Sequence, residues 1–174
     1  TIASTRFDFF QPTLSPDGRF VAYASSHLAP GNADLFMQGV NGAPPIRLTS
    51  DPRLDDNPTW SRDGAAIAFT RRGVGQNPPC WIVTLSVPRR EEHVVGRCPG
   101  GLAARMAWSA DGRGLYVIGR SAPGQPITLL RMDLASGRTV QVTRPPAGAW
   151  GDHEPVLSPD GRELAFLRRS TWTT

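Results

Sequence analysis

Apolar residues in this chain come in short runs and never in helix-length stripes. Phe20-Val-Ala-Tyr23, Ala66-Ile-Ala-Phe69, Leu115-Tyr-Val-Ile118 and Leu164-Ala-Phe-Leu167 each follow soon after an Asp-Gly pair. Ahead of each Asp-Gly stands another short run, closed by Leu14, Trp60, Trp108 or Leu157. Runs of this length between turn residues predict β-strands joined as hairpins. A second hairpin follows in each of the first three units. Asp34-Leu-Phe-Met37 leads through Asn41-Gly42 to Ile46-Arg-Leu-Thr49, with Asn-Gly a strong hairpin signal. Trp81-Ile-Val-Thr84 turns near Pro88-Arg-Arg90 into His93-Val-Val95, and Ile127-Thr-Leu-Leu130 turns at Ala135-Ser-Gly137 into Val140-Gln-Val-Thr143.

The first turn of each unit carries one repeated signature. It reads Pro12-Thr-Leu-Ser-Pro-Asp-Gly18, Pro58-Thr-Trp-Ser-Arg-Asp-Gly64, Met106-Ala-Trp-Ser-Ala-Asp-Gly112 and Pro155-Val-Leu-Ser-Pro-Asp-Gly161, with its serines 46, 48 and 49 residues apart. Ser and Asp bond nearby backbone amides and Gly takes a positive φ, so Asp17-Gly18, Asp63-Gly64, Asp111-Gly112 and Asp160-Gly161 read as structural turns rather than catalytic acids. Four strands per period with no intervening helix is the pattern of a β-propeller blade. The predicted fold is therefore all-β, a propeller of four-stranded antiparallel blades.

These residues resemble the TolB-like, WD40-like propeller repeat of the Pro-Asp-Gly type. In that family Pro-x-Trp-Ser-Pro-Asp-Gly precedes an Ile-Ala-Phe strand, and Leu-Thr stands on the fourth strand, here Leu48-Thr49 and more loosely Val142-Thr143. The third unit departs from the pattern, with Met106 in place of Pro and Gly114-Leu-Tyr in place of Ile-Ala-Phe. The resemblance covers nearly the whole chain and is specific for fold, not for function.

Residues 1–174 read as a single propeller domain with repeats over about 6–50, 51–99 and 100–144 and a partial one over 145–174. About three and a half to four blades are present. The opening Thr1–Thr5 suits the fourth strand of a preceding blade, and Trp172 a strand whose blade is missing. Propellers typically have four to eight blades. The expectation is a part of a larger propeller, with a small closed ring or self-association of two copies as the other ways to cover the terminal faces.

The formal charge is +4 and every one of the 19 basic residues is Arg. The arginines are scattered and match no nucleic-acid-binding motif, so direct nucleic-acid binding by this segment is not expected. No apolar run reaches the length of a membrane span, so no membrane insertion by this segment is expected. The two cysteines are placed more tellingly. Their numbers sum to 178, so a three-residue loop at Pro88-Arg89-Arg90 would set Cys80 and Cys98 opposite each other on paired strands, at disulfide range. Two buried free thiols are the alternative. A disulfide favours an oxidising, extracytoplasmic compartment such as the bacterial periplasm.

No nucleophile elbow, metalloprotease helix motif, phosphate loop or Cys-x-x-Cys occurs, so no catalytic residue, metal site or cofactor is expected. His27 falls in a loop and His93 in an outer strand. The segments before the innermost strands are more polar: Asp8 in unit one, Asp55, Asp56 and Asn57 in unit two, and Trp150, Asp152, His153 and Glu154 in unit four. Propeller geometry would gather them at one mouth of the central channel, as a carboxylate-rich rim for a cation or a basic peptide group. Loop capping and contacts between blades are the competing role.

The expected function is that of a non-enzymatic module binding a ligand, or a protein or peptide partner. The resemblance implies two settings for it, a periplasmic TolB-like protein or the extracytoplasmic sensor domain of a larger bacterial regulator, such as a membrane-bound winged-helix transcription regulator. The alternative is the substrate-gating propeller of a prolyl-oligopeptidase-like serine peptidase, whose catalytic residues would lie outside this segment.

Overall fold

The computed structural model describes residues 9–26, 31–120 and 122–170. Asp8, His27, Thr1–Thr5 and Trp172 therefore lie outside the described residues. The strands group into four consecutive antiparallel sheets, three of four strands and one of two. Blade one holds β1 (Phe9–Leu14), β2 (Phe20–Ser25), β3 (Asp34–Gly39) and β4 (Ile46–Arg47). Blade two holds β5 (Leu54–Trp60), β6 (Ala66–Arg72), β7 (Cys80–Ser86) and β8 (Glu92–Arg97). Blade three holds β9 (Ala107–Trp108), β10 (Gly114–Gly119), β11 (Thr128–Asp133) and β12 (Thr139–Gln141), and blade four holds β13 (Gly151–Leu157) and β14 (Leu164–Arg169). Each sheet runs in sequence order from the innermost strand outward, the meander of a propeller blade.

The Ser-x-Asp-Gly turns repeat one hydrogen-bond pattern. In blade one Ser15 Oγ donates to Asp17 Oδ1 at 2.6 Å, the same oxygen accepts the Arg19 amide at 3.0 Å, and the Phe20 amide donates back to Ser15 Oγ at 2.9 Å. Asp63 and Asp160 repeat it with Ser61 and Ser158. Asp111 also accepts Arg131 Nη2 at 2.7 Å. The closing glycine takes φ of +66° to +76° in all four, where a Cβ would be strained. These hydrogen bonds hold each Asp carboxyl below its ordinary range; for Asp63 the Ser61 hydroxyl is the chief cause.

The core lies between blades rather than within them. Successive side chains on a strand point to opposite faces, so a middle blade buries both. On β6, Ile67 and Phe69 pack with Ala22, Leu35 and Met37 of blade one, while Ala68 packs with Trp108, Leu115 and Val117 of blade three. Ile118 and Leu129 of blade three then meet Leu164 and Phe166 of blade four. The signature tryptophans bolt these contacts. Trp60 Nε1 donates to the Thr13 carbonyl at 3.3 Å and Trp108 Nε1 to the Thr59 carbonyl at 3.0 Å, each reaching one blade back. Leu14 holds the same place in blade one, and 56% of its surface is exposed.

The Leu-Thr signal of the outer strands also has a physical role. Thr49 Oγ1 accepts the Leu35 amide, and Thr143 Oγ1 accepts the Leu129 amide, both at 3.0 Å. Each threonine thus serves the third strand where the short fourth strand ends.

Cys80 and Cys98 form a disulfide with a Cα–Cα distance of 5.2 Å. The route to that register differs from the expected three-residue loop. Ser86 and Glu91 close a four-residue loop, with Arg90 at φ +60°. That loop sets pairs such as Val83 with Val94, one step off the cysteine register. An irregularity at Val95 restores Ile82 opposite Gly96, and the Cys98 amide then donates to the Cys80 carbonyl at 2.9 Å. With a sequence separation of 18 between the cysteines, closing this loop is worth about 3 kcal/mol in the chain-entropy account. Urea unfolding with and without reductant checks this: reduction is expected to lower stability by about that amount, and coincident curves would contradict it.

Candidate functional site

Strands β1, β5, β9 and β13 surround a central cavity of about 350 Å³. Before it reaches the signature turn, each of β1, β5 and β13 breaks register once, between Phe10 and Thr13, Asp56 and Thr59, and His153 and Val156. The cause is one residue per strand in the left-handed region, Gln11, Asn57 and Glu154, with φ between +52° and +56°. Each stands just before Pro12, Pro58 or Pro155, and each lines the cavity. Non-glycine residues in this region are strained, and such strain gathers where the surroundings impose it. Unit three has Arg105 before Met106, without proline or positive φ, and its inner strand shrinks to Ala107–Trp108.

These positions link neighbouring blades around the cavity. The Asn57 amide donates to Gln11 Oε1 at 2.6 Å, joining blades one and two. Arg105 Nε lies 3.6 Å from Glu154 Oε2, joining blades three and four. Of the predicted rim residues, Asn57 and Glu154 line the cavity, whereas Asp55, Asp56, Trp150, Asp152 and His153 do not.

The carboxylates are turned into the fold and matched there by arginines. Asp55 sits directly across the β5–β6 ladder from Arg71, and Asp152 directly across β13–β14 from Arg168. Both pairs are bidentate: Arg71 Nε and Nη2 reach Asp55 at 2.7 and 2.8 Å, and Arg168 Nε and Nη2 reach Asp152 at 2.7 and 2.9 Å. Both aspartates are fully buried. Arg71 also binds Glu92 at 2.7 Å and lies 3.3 Å from Asp51. Asp56 pairs with Arg72 Nη2 at 2.5 Å and accepts Asn57 Nδ2 at 3.0 Å and the Thr70 hydroxyl.

Burial raises the Asp55 carboxyl pKa against the opposing pull of Arg71. Burial also works against the Arg71 charge, but the hydrogen bonds that Arg71 donates to Asp55 and Glu92 outweigh it and raise the guanidinium pKa. At Asp152 burial again opposes ionisation, and here the hydrogen bonds of Arg168 and Thr143 prevail and lower the pKa. The backbone fixes the same two places. The Asp55 amide donates to the Ala33 carbonyl and the Asp152 amide to the Ile127 carbonyl, both at 2.8 Å and both one blade back. Among the described residues, no group of three or more His, Cys, Asp or Glu stands together as a metal site.

Trp150 and His153 form the other part of the predicted rim. Their ring centroids are 4.6 Å apart, and Arg169 Cζ lies 5.1 Å from the Trp150 ring. Burial, and then the charge of Arg169, lowers the His153 pKa, so its neutral form is favoured at neutral pH. His93 is exposed on β8. The pairing arginines Arg71 and Arg168 escape the sequence reading, which takes the arginines only as scattered charge. The usable signal was the constant spacing of 16 from Asp55 to Arg71 and from Asp152 to Arg168.

A family model described as the TolB β-propeller domain matches residues 1–172. An uncharacterized peptidase, YuxL of Bacillus subtilis, is 30% identical over 164 residues, which is 93% of this chain but 22% of the relative. The chain thus spans about a fifth of the curated relative it matches. TolB from Acinetobacter baumannii superposes with a TM-score of 0.81 at 20% identity, over 99% of this chain and 40% of that one. A prolyl endopeptidase superposes with a TM-score of 0.69 at 19% identity, over 95% of this chain and 27% of that one.

Breaking the buried pair has a calculable consequence. Arg71→Leu leaves Asp55 buried without its bidentate partner and is expected to cost about 3–5 kcal/mol in urea unfolding. Asp55→Leu combined with Arg71→Leu is expected to recover most of that loss. Additive losses would show that the two residues are not coupled.

Proposed function

This chain belongs to the TolB β-propeller domain family, and from that premise we propose that it is a non-enzymatic module that binds a protein or peptide at the mouth of its central cavity. One observation carries this reading. The acidic groups that would be needed for chemistry at the mouth are held by arginines, while Trp150, His153 and Glu154 keep surface on which a partner can rest. In this reading Asp55, Asp56 and Asp152 position the mouth, and Asn57 and Glu154 meet whatever enters it. The disulfide and the TolB-like fold suit a periplasmic or other extracytoplasmic setting, and the sensor domain of a larger bacterial regulator is the role we favour. The terminal blade faces expose Leu14 on one side and Val156 and Leu167 on the other, surfaces on which further blades or a second copy would seat.

The second reading is a gating propeller of a serine peptidase. It is favoured by the likeness to the relative named as a peptidase and to the prolyl endopeptidase, each of which extends far beyond the matched part. The catalytic residues would then belong to another domain of the parent protein.

Sequencing the coding region on both sides of this segment separates the two. A winged-helix domain and an apolar span of about 20 residues upstream are the expected finding for the sensor. A downstream Gly-x-Ser-x-Gly followed by Asp and His would overturn the sensor role and assign the segment to a peptidase.

A further inference from the structure

Around His153, on blade four, the acting charges are the cations Arg120 and Arg169 and the anions Asp152 and Glu154. Asp152 is taken by Arg168, and Glu154 lies 3.6 Å from Arg105. Among the described residues, neither Arg120 nor Arg169 has a carboxylate within ion-pair distance. Two buried nitrogens in the same region also lack a hydrogen-bond partner, Arg120 Nε and His153 Nε2. A buried polar nitrogen left unmatched is costly and calls for a partner, which for the Arg120 Nε donor is an acceptor.

The fold brings these groups to one place. Arg120 directly follows β10, whose last residue Gly119 pairs with Thr128. The adjacent Ile127 bridges to Gly151, and its amide donates to the Trp150 carbonyl at 3.1 Å. The Trp150 amide in turn donates to the Arg169 carbonyl at 3.1 Å. Trp150 keeps 40% of its surface exposed, with the His153 ring and the Arg169 guanidinium against its indole.

We propose that Arg120, Arg169, His153 and Trp150 form a carboxylate-binding site at the blade-four mouth, which receives an acidic side chain or the C-terminal carboxylate of a peptide. The proposal rests on the binding-module reading and reverses the ligand charge expected from the sequence. Two planar guanidiniums offer forked donors that match a carboxylate. His153 offers a further polar contact, and the flat indole face supports the carbon skeleton that carries the acid.

The test is fluorescence polarisation with the full-length protein that contains this segment. The probe is fluorescein-labelled Gly-Ala-Asp-Ala with a free C terminus, and its neutral twin is Gly-Ala-Asn-Ala amide. The acidic probe is expected to bind at least about tenfold more tightly than the twin, since losing a charge-assisted pair is worth at least that factor. Arg120→Gln and Arg169→Gln are each expected to remove that preference, with thermal unfolding unchanged. Arg138→Gln, on the exposed β11–β12 turn, is expected to leave it intact.

Succinate and inorganic phosphate serve as competitors. Displacement by succinate supports the site and assigns small dicarboxylates as ligands too, and its failure to displace supports the site and assigns the acid to a peptide chain. Equal binding of probe and twin, binding unaffected by either arginine variant, or displacement of the probe by phosphate would each overturn the proposal. The binding-module reading is decided separately by the neighbouring domains, so a failure here is distinguishable from a failure there.

Discussion

Contact between successive blades is the constraint on which this structure depends. A single four-stranded sheet cannot cover its own apolar faces, so each blade is stable only against its neighbour. Three apolar clusters meet that need, between blades one and two, two and three, and three and four. Fully burying side chains the size of Phe69, Leu115 or Leu129 contributes roughly 1.5–3 kcal/mol each. That term is non-directional and does not set how far one blade rotates on the next. The tryptophan hydrogen bonds to Thr13 and Thr59, and the amide bonds from Asp55 and Asp152, supply the direction.

The cavity follows from the same packing. Once the inner strands are fixed one blade to the next, their pre-proline residues converge, and the left-handed turns at Gln11, Asn57 and Glu154 aim polar groups at the axis. The aspartates one or two places earlier are carried into the blades. Burial there is tolerable only because an arginine on the adjacent strand pairs with each, directly opposite for Asp55 and Asp152 and two places beyond the facing Thr70 for Asp56. The cavity that remains is lined by Gln11, Asn57, Arg105 and Glu154, with the ion pairs behind it in the blades.

Much of the fold was legible in the sequence because it repeats. The Ser-x-Asp-Gly turns, the four-strand period and the propeller class follow from local chemistry written four times over. The Cys80–Cys98 bond was also legible, although the arithmetic reached the right partners through the wrong loop. A four-residue turn and an irregularity at Val95 cancel to the same register. The mouth was only half legible. Asp55, Asp56 and Asp152 read as free acids because nothing local to them reveals a partner 16 residues away on the next strand. The left-handed residues before Pro12, Pro58 and Pro155 were missed for another reason. Proline favours extended backbone in the residue before it, so the local rule pointed away from the conformation that packing imposes.

The central claim is that the carboxylates of the mouth are spent as partners of Arg71, Arg72 and Arg168 and are not open to a cation. Calorimetric titration of the native protein with calcium tests it most directly. The account predicts no saturable heat. A one-site isotherm that disappears in Asp152→Asn would contradict it and would restore the mouth as a cation-binding rim.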